Sequence, residues 1–190
     1  ALMFLAAIVA LACCPAASDY FPLRTGMKWT YDAGDAGEVV KSVGDGVKSG
    51  DVACLVVENF GPWGVFQDKA LVSAGKDGIV LRKLSKTDLV VDWLKTPLKK
   101  GERWKASASL GDVKCDLEFE VLDPETIEVP GGKYECVKVR MTFKDEEGSA
   151  GTWIAWYAKG VGEIQSEFTT GRTGKTRTLT RKLKKFEGGK

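Results

Sequence analysis

Apolar and polar residues alternate along most of the chain, and the alternation is clearest between residues 113 and 121. The apolar positions of this segment are Val113, Cys115, Leu117, Phe119 and Val121. Charged residues occupy the positions between them. Because successive side chains of a β-strand point to opposite faces, the segment is predicted to be a strand with one buried face.

The same pattern, interrupted by glycine-containing turns, predicts further short strands. They cover residues 27–33, 37–43, 51–59, 63–74, 77–84, 87–94, 102–109, 112–122, 125–129, 134–143, two strands within 151–168, and 175–186. Turns recur about every ten residues, which is typical of an antiparallel all-β domain. We therefore expect about twelve short strands in a single antiparallel sheet, curved into a barrel or folded into a sandwich.

One motif occurs twice in the chain. PLRTGMKW spans residues 22–29 and PLKKGERW spans residues 97–104. In both copies proline fixes φ, glycine permits a positive φ, and tryptophan begins an alternating segment. The repeat predicts two related halves of one sheet that share a single core.

The first residues have the pattern of a secretion signal. Residues 2–12 form an apolar run that is too short to span a bilayer, and the run ends in VALAC before Cys13 and Cys14. VALAC resembles a bacterial lipobox, in which a cysteine receives a lipid. We expect lipidation at Cys13, with Cys14 as the alternative, and ordinary signal cleavage after Ala12 or Ala17 as the competing interpretation.

This pattern divides the chain into four segments. They are a signal peptide at 1–13, a tether at 14–22, a β domain at 23–187 and a tail at 188–190. The residue after Cys13 is not aspartate, so the lipobox resemblance implies an anchor in the outer membrane, facing the periplasm, if the source is Gram-negative.

Charge is nearly balanced over the whole chain but not at its carboxyl end. The net charge is +2, whereas residues 171–190 contain eight lysines and arginines against one acid, Glu187. The overall balance gives no indication of nucleic-acid binding. The basic segment could contact anionic lipid or a partner protein, or it could be a solvated edge strand whose lysines discourage pairing.

The sequence contains no histidine. This absence excludes Ser-His-Asp and Cys-His catalysis and histidine-ligated metals. Asp116, Glu118 and Glu120 share one face of a strand and are candidates for carboxylate catalysis, but a solvent-facing strand is the simpler explanation. No nucleotide-binding glycine loop or calcium loop has the required spacing, so we predict neither a cofactor nor a metal site.

Three cysteines remain in the β domain. Cys115 lies on the apolar face of its strand, whereas Cys54 and Cys136 lie beside valine-rich runs, and Cys136 is predicted to face outward. In an oxidising compartment one disulfide is expected, and Cys54–Cys136 is the candidate pair.

Six tryptophans are many for a chain of this length. Trp29, Trp104, Trp153 and Trp156 could line a cavity for an apolar ligand, or they could simply fill the core. Trp153 and Trp156 are three residues apart, so they must face opposite sides of a strand.

Three segments together, YFPLRTGMKWTY (20–31), VPGGKYECVKV (129–139) and WYAKGVGEIQSE (156–167), resemble an uncharacterised family of bacterial exported lipoproteins, the TapB-like group, which is related to YmcC-like β proteins. The resemblance spans most of the mature chain and implies a barrel-like or sandwich fold. It implies no established activity and no catalytic residue.

These observations lead to three functional hypotheses. The first is a non-catalytic envelope lipoprotein whose β domain binds an apolar ligand or another envelope component. The second is an assembly module that docks a partner protein through its basic last strand or a sheet edge. The third is a carboxylate-dependent hydrolase.

Overall fold

A computed structural model describes residues 19–61, 69–75, 77–110, 112–172 and 175–189. The strands are β1 (Lys28–Asp32), β2 (Glu38–Ser49), β3 (Val52–Glu58), β4 (Lys69–Gly75), β5 (Gly78–Leu84), β6 (Thr87–Lys95), β7 (Arg103–Leu110), β8 (Val113–Val121), β9 (Glu125–Val129), β10 (Gly132–Asp145), β11 (Ala150–Ala158), β12 (Gly162–Arg172) and β13 (Lys175–Glu187). One turn of 3-10 helix, Gly34–Ala36, connects β1 to β2. Cys13, Cys14 and the start of the predicted strand 63–74 lie outside the described residues.

All thirteen strands belong to one antiparallel sheet. Its order is β6-β5-β4-β3-β2-β1-β13-β12-β11-β10-β8-β7, and β9 pairs with β10 beyond the end of β8. The two terminal strands, β6 and β7, are consecutive in the chain and lie side by side. The sheet is therefore curved into an almost closed barrel, which confirms the predicted all-β, barrel-like fold.

A single core of large apolar side chains fills the barrel. Trp93 packs at 5.0 Å, between ring centroids, against both Phe60 and Trp153. The predicted alternation in β8 is confirmed, since Cys115, Leu117, Phe119 and Val121 are all buried. Phe21 belongs to the segment predicted to be a tether, yet its side chain is only 1% exposed and enters this core.

The sequence repeat is also a structural repeat. In each copy the motif glycine has a positive φ, +85° at Gly26 and +81° at Gly101. Three backbone hydrogen bonds recur around the two turns. In the first copy they are Gly26 N–H to Val43 O, Val43 N–H to Met27 O, and Met27 N–H to Arg24 O. In the second copy they are Gly101 N–H to Val121 O, Val121 N–H to Glu102 O, and Glu102 N–H to Lys99 O. The hairpins β1–β2 and β7–β8 are thus equivalent parts of the two halves.

The basic last strand does not lie at an edge of the sheet. β13 pairs with β12 on one side and with β1 on the other. The interpretation of residues 175–186 as an edge strand was therefore wrong, because β1 returns to cover the edge that β13 would otherwise leave open. In the described sheet, β6 and β7 are the terminal strands with a free edge, and the short β9 is paired only with β10.

Candidate functional site

Three charged side chains are buried inside the barrel. Lys41, Glu163 and Arg181 are 0%, 1% and 5% exposed. The ammonium of Lys41 lies 2.5 Å from Glu163 Oε2, and Arg181 Nη2 lies 3.3 Å from Glu163 Oε1. We call these three residues the interior charge cluster; it contains two cations and one carboxylate.

The strand registers explain why the cluster residues point inward. Lys41 pairs directly with Trp29 across the β1–β2 ladder, on the buried side of both strands. Arg181 lies between Leu179 and Leu183 on β13, so it shares their face. Glu163 pairs with Tyr157, beside an irregularity in the β11–β12 ladder that follows Trp156.

Aromatic rings and polar groups surround the cluster. Lys41 Nζ lies 5.4 Å from the ring centroid of Phe21, and Arg181 Cζ lies 5.5 Å from that of Tyr31. Arg181 also donates hydrogen bonds to Ser166 Oγ at 3.3 Å and to Gly61 O at 3.0 Å. These contacts offset part of the cost of removing two cations from water.

Burial and mutual attraction act in opposite directions on the ionisation of the cluster. Burial lowers the pKa of Lys41 to about 8, although the Glu163 carboxylate favours the charged ammonium. Burial alone would raise the pKa of Glu163, but Lys41 and Arg181 together outweigh it and hold that pKa below its ordinary value. Glu163 is therefore a stable carboxylate that fixes two cations in place.

The second candidate site is the seam, by which we mean the junction between the terminal strands β6 and β7. No ladder pairs join these strands in the described part of the sheet. The indole of Trp104 instead donates a hydrogen bond of 2.8 Å to Asp92 O, across the seam. Trp104 is held in place by Phe119, whose parallel ring lies 5.0 Å away.

The outer side of β6 is accessible. Val90 is 66% exposed, more than any other large apolar side chain among the described residues. An open depression of about 900 Å3 lies alongside the carboxyl-terminal end of this strand, and its lining includes Asp92, Leu94 and Glu102. The seam thus combines a free strand edge, an exposed valine and a neighbouring groove.

The candidate catalytic carboxylates lie on the outer face of β8. Glu118 pairs with Lys105 at 2.5 Å, and Asp116 accepts a hydrogen bond of 2.9 Å from Ser107. Glu120 accepts hydrogen bonds from Arg103 and Arg140, and the hydrogen bond from Arg103 is the largest of the effects that lower its pKa. A general acid of a glycosidase needs a raised pKa, so this arrangement does not suit the hydrolase hypothesis.

The four candidate cavity tryptophans occupy separate places. Trp29 is buried and its indole donates a hydrogen bond of 2.7 Å to Val161 O. Trp153 and Trp156 face opposite sides of β11; Trp153 packs in the core, whereas Trp156 donates to Glu125 Oε2 at 3.0 Å. Together with Trp104 at the seam, they do not converge on one described pocket.

Cys54, Cys115 and Cys136 are all buried and carry free thiols. Cys54 lies on β3 and Cys136 on β10, which are not neighbours in the sheet. Cys136 has the parity of Lys138 and Arg140 on β10, as predicted, yet its side chain is only 3% exposed, and burial raises the pKa of its thiol to about 12. A Cys54–Cys136 disulfide is absent from the structure and stays a prediction for the exported protein, to be tested by mass measurement of non-reduced peptides.

The interior charge cluster was missed by the sequence reasoning, although two signals for it exist. Lys41 has the same parity as Val39 and Val43, and Arg181 has the same parity as Leu179 and Leu183. A cation on the apolar face of a predicted strand indicates either a buried partner or an error in the assigned face. No such signal marks Glu163, because a ladder irregularity decides which way it points.

The described part of the chain contains neither a metal-binding cluster nor a membrane-spanning helix. No group of three or more histidine, cysteine, aspartate or glutamate side chains there is arranged to hold a metal ion. None of the helices within the described ranges has the length and apolar character needed to cross a membrane.

The chain resembles proteins of known structure in fold. Residues 114–177 match the DUF3108-like family model. A "putative exported protein with YmcC-like fold" from Bacteroides fragilis aligns over 89% of this chain and 99% of its own, with 14% identity and a TM-score of 0.55. A "putative lipoprotein" from Parabacteroides distasonis aligns over 88% and 98%, with 16% identity and a TM-score of 0.51. None of the curated proteins matches the sequence. The resemblance to YmcC-like β proteins is therefore confirmed at the level of the fold.

Proposed function

We propose that this protein is a non-catalytic envelope lipoprotein, anchored by lipid on Cys13 or alternatively Cys14, whose β domain docks an extended segment of another envelope protein along β6. The observation that carries this proposal is the seam: β6 has a free edge and carries the exposed Val90. Structural neighbours described as exported and as a lipoprotein support the envelope location.

An unpaired strand edge can receive another strand. Its free backbone N–H and C=O groups bind an extended peptide by main-chain hydrogen bonds, and side-chain pockets supply specificity. Asp88 and Asp92 lie on this strand and form salt bridges with Lys83 and Lys95. Charged side chains of this kind discourage indiscriminate pairing of an edge, so a partner needs a complementary charge pattern.

The packing of the core favours docking over an internal ligand. Trp93, Trp153 and Phe60 contact one another at the distances of a filled aromatic core. The apolar-ligand hypothesis stays as the competing outcome of the same experiment. Catalysis has little support, since the chain lacks histidine and the carboxylates of β8 are engaged by cations or a hydroxyl.

The test is site-specific photocrosslinking in the native envelope. A photoreactive amino acid replaces Asp88, in the otherwise unchanged chain and in chains that also carry Val90→Lys or Val47→Lys. Val47 is the matched control, because it is an exposed valine on β2, away from the seam. We expect one defined envelope protein to be captured, with loss of the product only in Val90→Lys.

Three outcomes would contradict docking at the seam. They are no captured protein, equal capture in all three chains, and a lipid that co-purifies in place of a protein. The last outcome would support the apolar-ligand hypothesis.

A further inference from the structure

The strands of the barrel alternate in direction, so its turns lie at two ends. The anchor end contains the turns 24–27, 50–51, 96–102, 130–131 and 159–161, together with Asp77 and the final residues 188–189. The distal end contains the turns 33–37, 59–61, 85–86 and 146–149, together with Asp112. The registers of the antiparallel ladders define both ends.

The described chain begins at the anchor end, where a hydrogen bond and an ion pair hold Asp19. The carbonyl of Asp19 accepts a hydrogen bond from Gly160 N–H at 2.6 Å, and its carboxylate lies 3.0 Å from Lys159 Nζ. Two residues later, Phe21 enters the core and packs against Trp29 and Tyr157, with ring centroids 6.1 Å away in both cases. The described chain therefore begins beside the turn 159–161.

The distance from this point to the proposed lipid is short. Cys13 precedes Asp19 by six residues, and six residues of fully extended chain reach at most about 20 Å. A strand of nine residues such as β11 is about 30 Å long. The lipid-bearing Cys13 can therefore not reach the distal end of the barrel.

The distal end of the barrel is more acidic than the anchor end, which agrees with a membrane beside the anchor end. Around Asp19, the turns 24–27 and 159–161 carry Arg24 and Lys159 and no further carboxylate. The rest of the anchor end adds two cations and three acids, so that this end is close to neutral: Lys99, Lys100, Asp51, Asp77 and Glu102. The described distal turns are acidic: they carry Asp35, Asp112, Glu146 and Glu147, with Lys86 as their one cation. An anionic lipid surface attracts a basic residue near it by about 1 kcal/mol and repels an acidic end.

We infer that the anchor end, with Arg24 and Lys159 at its surface, faces the bilayer and contacts its anionic headgroups, while the acidic distal end faces away from the membrane. This inference rests on the lipid anchor of the proposed function. Because the seam runs between the two ends, it stays accessible from the side to a partner.

The orientation can be tested with lipidated full-length protein bound to vesicles that contain phosphatidylglycerol and nitroxide-labelled headgroups. Arg24→Cys and Asp35→Cys place a fluorophore at the anchor end and at the distal end. Whichever of Cys13 and Cys14 carries no lipid is replaced by serine. Cys54, Cys115 and Cys136 are buried, which protects them from the label.

We expect the fluorophore at position 24 to lose most of its emission on nitroxide vesicles and the fluorophore at position 35 to keep most of it. Equal quenching at the two positions, on protein that floats with the vesicles, would overturn the orientation and leave the anchor standing. Stronger quenching at position 35 would reverse the assignment of the two ends. Protein that fails to float would overturn the anchor and, with it, the orientation.

Discussion

The two copies of the repeated motif have the same turn but different neighbours. Trp29 pairs with Lys41 on β2, whereas Trp104 pairs with Phe119 at the equivalent position on β8. β1 is paired on both sides, with β13 on its second edge, whereas β7 has no ladder partner on its second edge in the described sheet. The first copy thus lies beside buried ions in the middle of the sheet, and the second lies beside an aromatic pair at its edge.

This difference shows that the turn motif determines how a strand begins but not which strand pairs with it on its second edge. The junction of β1 with β13 has five register pairs, whereas the described residues of β6 and β7 form no ladder pair and are linked by the indole hydrogen bond from Trp104 to Asp92 O. Backbone pairing in the described sheet is therefore present at one junction and missing at the equivalent one.

Replacing Glu163, the carboxylate of the charge cluster beside the first copy of the motif, should have the largest effect. Glu163→Gln leaves Lys41 and Arg181 buried without a counter-charge, and we expect a loss of about 3–5 kcal/mol in the free energy of unfolding. Chemical denaturation measures this loss. The matched control is Glu118→Gln, which removes an exposed ion pair with Lys105 and should cost less than about 1 kcal/mol. Equal effects of the two substitutions would contradict the assigned burial of the cluster.

Removing the indole hydrogen-bond donors should loosen different parts of the fold at the two copies of the motif. Trp29→Phe leaves Val161 O, in the turn 159–161, without its part-buried donor, and we expect a loss of about 1–3 kcal/mol, spread over the whole fold because β1 is paired on both sides. Trp104→Phe should cost about 1 kcal/mol and loosen mainly β6 and β7. Denaturation combined with hydrogen exchange measures both effects. Global loosening by Trp104→Phe, equal to that of Trp29→Phe, would refute the difference between the junctions.

The motif glycines test the similarity of the copies. Gly26→Ala and Gly101→Ala each place a side chain at a positive φ, so each should cost about 1–2 kcal/mol, and the two losses should be nearly equal. Thermal or chemical unfolding of the two variants is sufficient. A clearly larger loss at one site would show that the turns are not energetically equivalent.

The smallest predicted effect is a pH dependence of the free energy of unfolding that arises from Lys41, beside the first copy of the motif. Because the folded-state pKa of Lys41 is lowered to about 8, the unfolded chain binds more protons than the folded chain above this pH. The free energy of unfolding contributed by Lys41 should therefore rise, by about 1 kcal/mol, between pH 8 and about pH 9.5. Denaturation of the unchanged protein and of Lys41→Met at both pH values isolates this contribution. The same slope in both proteins would contradict the prediction.

Much of the fold could be predicted because its signals are local. The alternation at Val113–Val121 and the motif at 22–29 and 97–104 depend only on neighbouring residues, and the structure contains both as predicted. The position of β13 could not be predicted in this way. Whether it lies at an edge depends on β1, which is more than 140 residues away in the chain.

The candidate sites were harder to predict for the same reason. Lys41 and Arg181 become neighbours of Glu163 only after β2, β12 and β13 close around one interior, and a ladder irregularity determines the direction of Glu163. The burial of Cys136 on the outward side of β10 was not predicted, because alternation alone does not indicate what covers a face. The seam is likewise a property of barrel closure, since nothing local to Thr87–Lys95 shows that this strand lacks a second partner.

Hydrogen exchange of the full chain, resolved by residue, tests the difference between the two junctions most directly. We predict that amides of β6 and β7 directed toward the seam exchange rapidly, whereas amides shared between β1 and β13 are protected to nearly the global stability of the fold. Equal, strong protection at both junctions would show that β6 and β7 are joined by a ladder in solution, and the seam would then offer no free edge to a partner.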